Sequence, residues 1–414
     1  MSGVGAEGGR IDGTDPTGDG ELSGFSLVRG GPIYRLLNAV GLAPTGLRGA
    51  IILSAVLAGF CLVPLVVLTG FAGTLSGPMA GVPLSGDFGA LGRFLIGLPA
   101  LVLIAPDSDR LLRLVLSHFV TAGIVRRADR PAFAGILRDA LRLRDATWPE
   151  LILVAGAFVP ALMALEQAPL LPPLPGWRLA DGGLSPAGIW FDFVAKPLWL
   201  LIALLWVWRL ALWALMLARI CRLDLALHAA HPDGVGGLGF VPAMQQRFSR
   251  CAFAGGVIFA GAAANEIVYG EMPLSDAGWV LAAYIACATF VLCVPLLVLT
   301  PTLVRLKRRG ILAYGALGNA YMLAFDAKWL GARGDAAGLV EKVRAGPLDE
   351  LGGDYGSLTD LNASYLIAQR IPIVPINRWV LAGIVLPAAL PMAPVALLAL
   401  GIQDTVRKLL EMLT

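Results

Sequence analysis

Seven long apolar runs divide this chain and limit what it can fold into. They cover about 50–72, 90–105, 149–166, 194–218, 250–269, 278–304 and 379–401. A helix needs about 20 apolar residues to cross the hydrocarbon core of a bilayer, and most of the runs approach or exceed that length. Because 57% of the chain is hydrophobic and only 15% is charged, a soluble protein with one large core is excluded.

The seventh run differs from the others because Pro387, Pro391 and Pro394 interrupt it. Prolines this close together kink or break a helix, so the run either spans the membrane or folds back as two half-helices. We therefore expect an all-α fold. It is a polytopic transmembrane helix bundle of six spanning helices plus a Pro-broken seventh hydrophobic segment, with cytoplasmic amphipathic helices.

The basic residues predict how the chain is threaded. If the N-terminus is cytoplasmic, the inside segments 1–49, 106–148, 219–250 and 304–378 hold 26 of the 32 Lys and Arg. The positive-inside rule therefore favours a multi-pass protein with a cytoplasmic N-terminus; the side of the C-terminus stays open. Because the basic residues follow this topology, we expect contact with the lipid bilayer and no nucleic-acid partner.

The same pattern divides the chain into six parts. They are a disordered cytoplasmic N-terminal tail over 1–45, the first two transmembrane helices over 46–105, cytoplasmic amphipathic helices over 106–148, four transmembrane helices over 149–304 with a loop at 228–240, a cytoplasmic helical segment over 305–376, and the Pro-broken segment with a C-terminal helix over 377–414. The tail is assigned because it is rich in Gly, Ser, Thr and Asp and has few large apolar residues.

Helix boundaries are also predicted inside the polar parts. Pro106 and the acids after it are typical of a helix start, and a second helix is expected to follow Pro131. Between 305 and 376 we expect helices near 311–330 and 336–345. A glycine-rich break at 352–354 should follow, and then a helix that starts at Ser357.

A charged residue in the fourth run is the first candidate for function. Trp206 and Trp213 are seven residues apart and share one helix face, and Arg209 lies between them at helical spacing. Arg209 is expected roughly 15 Å from the inner helix end, where a charge is costly and by default marks function. Either it contacts an anion or substrate in a pathway, or it is a structural residue that pins helices together.

Two more charged residues in the runs join the candidates. Lys196 precedes the tryptophans on the same run, and Glu266 is the only acid well inside the fifth run. We expect Glu266 nearer the outer surface than Arg209, so that direct pairing between them would need a kink or a water.

The loop between the fourth and fifth runs is the second candidate. It contains His228, His231, Asp233, Gly236, Gly237 and Gly239. A metal site is disfavoured because Pro232 interrupts the helix that would align the histidines, and no third strong ligand is near. A phosphate nest of glycine amides is possible. The structural alternative is a tight glycine-shaped turn in which Asp233 and His231 cap helix ends.

Several segments together resemble a family of bacterial multi-pass inner-membrane proteins. The residues that carry the resemblance are Ala105-Pro106, Leu141-Arg-Leu-Arg-Asp145, the Trp/Arg-rich fourth run, Leu223-Asp-Leu225, His231-Pro-Asp233 with Gly236-Gly-Leu-Gly-Phe240, Ser357-Leu-Thr-Asp-Leu-Asn362 and the Pro-rich last run. The resemblance covers most of the chain after about residue 30. It implies a bacterial inner membrane location, and it carries over no activity and no catalytic residue.

Three functions follow from these features. The first is a channel or transporter for a small ion or solute, favoured by Arg209, its tryptophans, the broken last helix and Glu266. The second is a membrane scaffold or signalling component that docks an unknown protein partner through its cytoplasmic helices. The third is a lipid-acting enzyme that uses His231 and Asp233, although no catalytic motif is visible. We expect no cofactor or metal, and the protein could form a homo-oligomer.

Overall fold

The structure, a computed structural model, describes residues 24–44, 46–76, 81–165, 176–180, 183–270, 274–330 and 348–399. The fold is all-α, as predicted. Within the described residues, the only strands are β1 (Leu179–Ala180) and β2 (Gly183–Leu184), which pair as a two-residue antiparallel hairpin.

The α-helices are numbered in chain order. They are α1 (Gly31–Ala39), α2 (Leu47–Phe71), α3 (Phe88–Gly92), α4 (Leu98–Leu103), α5 (Ala105–Thr121), α6 (Arg130–Asp145), α7 (Thr147–Leu165), α8 (Pro186–Trp190), α9 (Lys196–Ile220), α10 (Pro242–Val268), α11 (Leu274–Leu297), α12 (Thr300–Phe325), α13 (Leu348–Arg370), α14 (Arg378–Ala389) and α15 (Ala393–Ala399). A π-helical turn, Arg93–Gly97, joins α3 to α4, and a second, Phe191–Ala195, joins α8 to α9.

Seven helical stretches in the described residues are long and apolar enough to cross a membrane. They are Leu47–Phe71, Phe88–Thr121, Thr147–Ala164, Pro186–Ile220, Pro242–Val268, Asp276–Leu297 and Arg378–Ala396. Each contains most of one predicted apolar run, so the predicted set of hydrophobic segments is confirmed. Many of their large apolar side chains are exposed, Phe60 and Phe290 among them, which is compatible with an integral membrane protein whose solvent is lipid.

Two features predicted from proline positions are also present, the helix start at Pro106 and the break in the last apolar run. Pro106 lies in the first turn of α5, and only Ile104 separates α4 from α5, because a proline is tolerated in a first turn, where its missing N–H is not needed. The seventh stretch is interrupted by a short 3₁₀ turn, Leu390–Met392, between α14 and α15. The last apolar segment is therefore Pro-broken, as expected.

The disorder predicted for 1–45 is wrong over residues 24–44. Phe25, Leu27 and Val28 are all less than 10% exposed, and α1 begins at Gly31. The sequence prediction failed because this short segment is held by partners more than 80 residues away, which local composition does not reveal. The part of the predicted tail before Gly24 lies outside the described residues.

The predicted break at 352–354 is also wrong. Helix α13 runs without interruption through Gly352 and Gly353. The hydroxyl of Ser357 donates to the carbonyl of Gly353 at 3.0 Å, inside the helix, instead of capping a helix start. Packing against α12, where the Tyr321 hydroxyl donates to the Asp354 carbonyl at 2.8 Å, outweighs the low helix propensity of glycine. The helix predicted at 336–345 lies outside the described residues.

The loops separate into two groups at opposite ends of the bundle. At one end, called the arginine-rich end, the segments after α5, α9 and α11 meet. Val125 bridges Leu225, Arg126 lies 2.5 Å from Asp224, and Gly310 of α12 packs on Ala229. At the opposite end, Val82 bridges Gly176. This grouping is the one that alternating spans require.

Candidate functional site

Arg209 lies in α9 at the centre of a polar region inside the bundle. Its guanidinium carbon is 4.7 Å from the centre of the Trp206 ring, a cation–π distance. Among the described residues, no group accepts a hydrogen bond from Arg209 or forms an ion pair with it. The second predicted ring does not contact it in this way, because Trp213 is fully buried in the apolar core instead. One of the two predicted indole partners is therefore present.

Two acids other than Glu266 provide the nearest negative charge. Asp109 of α5 and Glu150 of α7 are both close enough to attract Arg209 electrostatically, and Cys251 of α10 also lies near it. Asp109 is 2% exposed and Glu150 is 6% exposed. A buried carboxylate is costly unless it is paired or hydrogen-bonded, so the partners of these two acids decide what they can do.

Both acids bind the N-terminal segment for which the composition predicts disorder. Ser26 donates its hydroxyl to Asp109 at 2.5 Å, and the Ile33 amide donates to Glu150 at 2.7 Å. Arg29 lies 3.9 Å from Asp109. We name residues 25–33 the N-terminal strap. Asp109 and Glu150 therefore accept hydrogen bonds from the strap, and they interact with Arg209 only electrostatically, without a direct contact.

A second pair of charges fastens the strap to α6. The Gly31 amide donates to Asp145 at 2.9 Å, and Arg144 pairs with Asp145 at 2.7 Å and donates to the Ser26 carbonyl. Burial by itself raises the pKa of Asp145, but these hydrogen bonds outweigh it and hold the pKa below its ordinary value. Asp145 therefore stays ionised and anchors the strap at neutral pH.

Two glycines let the strap approach this closely. Gly31 has φ +82°, and a Cβ there would lie 2.1 Å from a Glu150 carboxylate oxygen; a Cβ on Gly30 would lie 2.2 Å from the Arg144 Nε. Glycine alone avoids both the strain and the clash. The pair Gly30-Gly31 just before a proline is a turn signal, and it is a local clue in the sequence that the segment around it is structured.

Lys196 belongs to a different cluster, at the start of α9. Its ammonium lies 3.2 Å from Asp192, whose carboxylate is fully buried, and Arg178 binds the same carboxylate with contacts of 2.9 and 2.8 Å. Asp192 and Arg178 could not be found from the sequence, because they lie in a π-helical turn and a loop, where no regular spacing relates them.

Glu266 is not part of either cluster. It lies two residues before the end of α10, near Gly270. Its neighbour Asn265 makes the structural contacts. The Asn265 amide donates to Asp87 at 2.8 Å and accepts from the Phe88 amide at 2.9 Å.

The loop over 228–240 folds around the side chain of Asp233. This carboxylate accepts hydrogen bonds from the amides of Val235, Gly237 and Gly239 at 2.8–3.0 Å, and it lies 2.9 Å from the His231 Nδ1. Although burial raises it, these donors hold the pKa of Asp233 below its ordinary value. The glycine nest is thus filled by the chain's own carboxylate, which favours the tight turn over a site for phosphate.

The other members of this loop have packing roles. Gly236 has φ +74°, and a Cβ there would lie 2.2 Å from a Leu306 methyl carbon. His228 contributes backbone contacts, because its amide donates to the Gly236 carbonyl at 3.4 Å and its carbonyl accepts from the His231 amide. No group of three or more His, Cys, Asp or Glu in the described parts of the chain could hold a metal ion.

A groove opens beside the break in the seventh stretch. Its volume is about 720 Å³, and it is lined by apolar side chains of α4, α10 and α14, including Pro387, with Arg250 as its charged residue. Arg250 lies 3.1 Å from Asp107. Arg209 is not among the residues that line this groove.

No family model, no curated protein and no solved structure matches the chain. The resemblance to a family of bacterial inner-membrane proteins therefore stays a prediction.

Proposed function

We propose that this protein is a channel or transporter for a small ion or solute, in a bacterial inner membrane, with the arginine-rich end facing the cytoplasm. The observation that carries the proposal is Arg209, a guanidinium inside a candidate membrane span with no hydrogen-bond acceptor among the described residues. A charge inside a membrane span is energetically costly and by default marks a functional site, such as a pathway for a substrate or an ion.

Two further features support this proposal. The seventh stretch is broken at Leu390–Met392, and the groove of about 720 Å³ lies beside Pro387; irregular backbone at membrane depth occurs where it is covered by protein or lines a cavity. Asp109 and Glu150 lie near Arg209 but are engaged by the N-terminal strap. Arg209 is therefore the charge that is left to meet a passing anion or polar solute.

Flux into liposomes tests the proposal. Purified wild-type protein, an Arg209→Ala variant and an Arg219→Ala control are reconstituted with a panel of inorganic ions and small carboxylates. Arg219 is a matched control because it lies on the same helix and forms an exposed pair with Asp139 at 3.0 Å. We expect flux from wild type and the control, and a loss of about tenfold or a changed selectivity in Arg209→Ala.

The absence of flux across the panel, with all three proteins folded, would contradict the proposal. It would favour the second candidate, a scaffold that docks a protein partner. The hairpin of α12 and α13 supports that candidate because Leu312, Leu317 and Leu323 are more than half exposed although α12 is not a candidate span. A photo-crosslinker at Leu317 in native membranes should then capture one defined partner, and a uniform background would contradict docking.

A further inference from the structure

The charges around Asp192 do not balance. Arg93, Arg178 and Lys196 are grouped near two acids, Asp192 and Asp87. Asp192 is engaged by Arg178 and Lys196, whereas Asp87 accepts its hydrogen bonds from neutral groups, among them the indole N–H of Trp177 at 3.0 Å. One positive charge is therefore left without a contacting partner.

Arg93 carries that charge. It lies at the start of the first π-helical turn, and no described group accepts a hydrogen bond from it. Its guanidinium carbon is 5.2 Å from the centre of the Phe191 ring and 5.9 Å from that of Trp199. The Nε atom of Arg93 is buried without a hydrogen-bond partner. A buried donor without an acceptor is costly, so an acceptor from outside the chain would stabilise this arrangement.

Arg178 shares this arrangement. Its guanidinium carbon is 4.7 Å from the centre of the same Phe191 ring, and its Nε atom is also buried without a partner. Two guanidinium groups that approach one ring repel each other, and Asp192, which contacts Arg178 and Lys196 but not Arg93, offsets only part of this positive charge. Planar guanidinium donors match the oxygens of an oxyanion.

The cluster is also accessible and locally irregular. The side chains of Arg178 and Lys196 are 21% and 27% exposed, and the loop that carries Arg178 packs on Val82 at the end opposite the arginine-rich end. The two π-helical turns of the described transmembrane stretches, Arg93–Gly97 and Phe191–Ala195, both lie at this cluster. Such turns are frequent at functional sites.

We propose that Arg93, Arg178 and Lys196 form a binding site for a small oxyanion, such as sulfate, phosphate or a carboxylate. The site is separate from Arg209, and its binding can be measured in detergent without any flux. The inference therefore goes beyond the proposed transport function and can stand or fail independently of it.

Binding of radiolabelled sulfate by the full-length protein in detergent tests the site. The structure predicts one sulfate per chain at saturation. It also predicts a rise in Tm of about 2 °C in the low millimolar range, relative to sodium chloride at the same ionic strength. Arg93→Gln should lose both signals, and Arg309→Gln, an exposed cation of α12, should keep them.

A second variant moves the affinity in the opposite direction. Asp192→Asn removes one acid from the cluster, so it should bind sulfate more tightly than wild type and show a larger rise in Tm. Three results would overturn the proposal. They are no sulfate bound to folded wild type, the same rise in Tm with chloride as with sulfate, or an unchanged sulfate effect in both cluster variants.

Discussion

The charges at the start of α9 and those near its middle contact their neighbours in different ways. At one end, Asp192 is fully buried and in direct contact with Arg178 and Lys196. Near the middle of α9, Arg209 lies close to Asp109 and Glu150 but touches neither, and both acids accept hydrogen bonds from the N-terminal strap. The start of α9 therefore carries a cluster of contacting charges with a surplus of positive charge, and its middle carries a guanidinium that contacts no acid.

This difference in direct contact suggests that the two groups of charges contribute differently to stability and to function. Direct contact between buried charges ties helices together, and its loss leaves an uncompensated charge. A buried arginine without a contacting acid contributes little to holding helices together and remains available to a solute. We therefore expect the Asp192 cluster to dominate stability and Arg209 to dominate activity.

The largest effect is expected when the contacts of Asp192 are removed. Asp192→Ala leaves Arg178 and Lys196 without their shared acid, so the free energy of unfolding should fall by about 3–5 kcal/mol. Chemical unfolding in detergent micelles measures it. Asp139→Ala is the control, since that acid is half exposed where it pairs with Arg219, and it should change stability by less than about 1 kcal/mol. Equal effects would remove the distinction.

The next effect concerns the strap. Gly31→Ala should destabilise the protein by about 1–3 kcal/mol, because the new methyl group would meet Glu150 and the backbone has φ +82°. Gly41→Ala is a matched control, since Gly41 has φ +73° but no atom within 4 Å of a new Cβ. The difference in unfolding free energy between the two variants measures the close approach. If both cost the same, the strap does not pack as described.

The smallest effect concerns the loop around Asp233. Its pKa is lowered in the folded state, so the ionised carboxylate stabilises the loop above the ordinary aspartate pKa. That contribution is lost as pH falls through the lowered value. Hydrogen exchange of the amides over 235–239, corrected for the intrinsic pH dependence, should therefore lose protection at acidic pH. The loss should be absent in Asp233→Ala and retained in the control Asp224→Ala.

If hydrogen-exchange protection over 235–239 in wild type did not change at acidic pH, the role given to the Asp233 carboxylate would be contradicted. Such a result would mean that the glycine conformations alone hold the turn, without the carboxylate.

Much of the fold could be predicted from the sequence because membrane spans are encoded locally. Apolar run length and proline positions gave the seven stretches and the break near Leu390. The strap could not be found this way, since Ser26 and Asp109 are far apart in sequence and related by no period. The helix over Gly352 and Gly353 was missed for the same reason, because packing on α12 outweighs local propensity.

The candidate site shows the same division. Helical spacing correctly placed Trp206 beside Arg209, since both lie on one regular helix. It could not place Trp213, whose orientation depends on neighbouring helices, nor Arg93, which a π-helical turn shifts out of register. An arginine inside an apolar run is the signal that led to Arg209, and the same signal would have pointed to Arg93 in the second run.

The most direct test of whether the charge of Arg209 serves transport compares Arg209→Lys with Arg209→Met in the liposome flux assay. Both variants keep a long side chain at this position, and only lysine keeps the charge. If Arg209 contacts the transported species through its charge, Arg209→Lys should retain a measurable part of the wild-type flux and Arg209→Met should lose it. If a folded Arg209→Met protein showed wild-type flux, the proposed role of the Arg209 charge in transport would be contradicted.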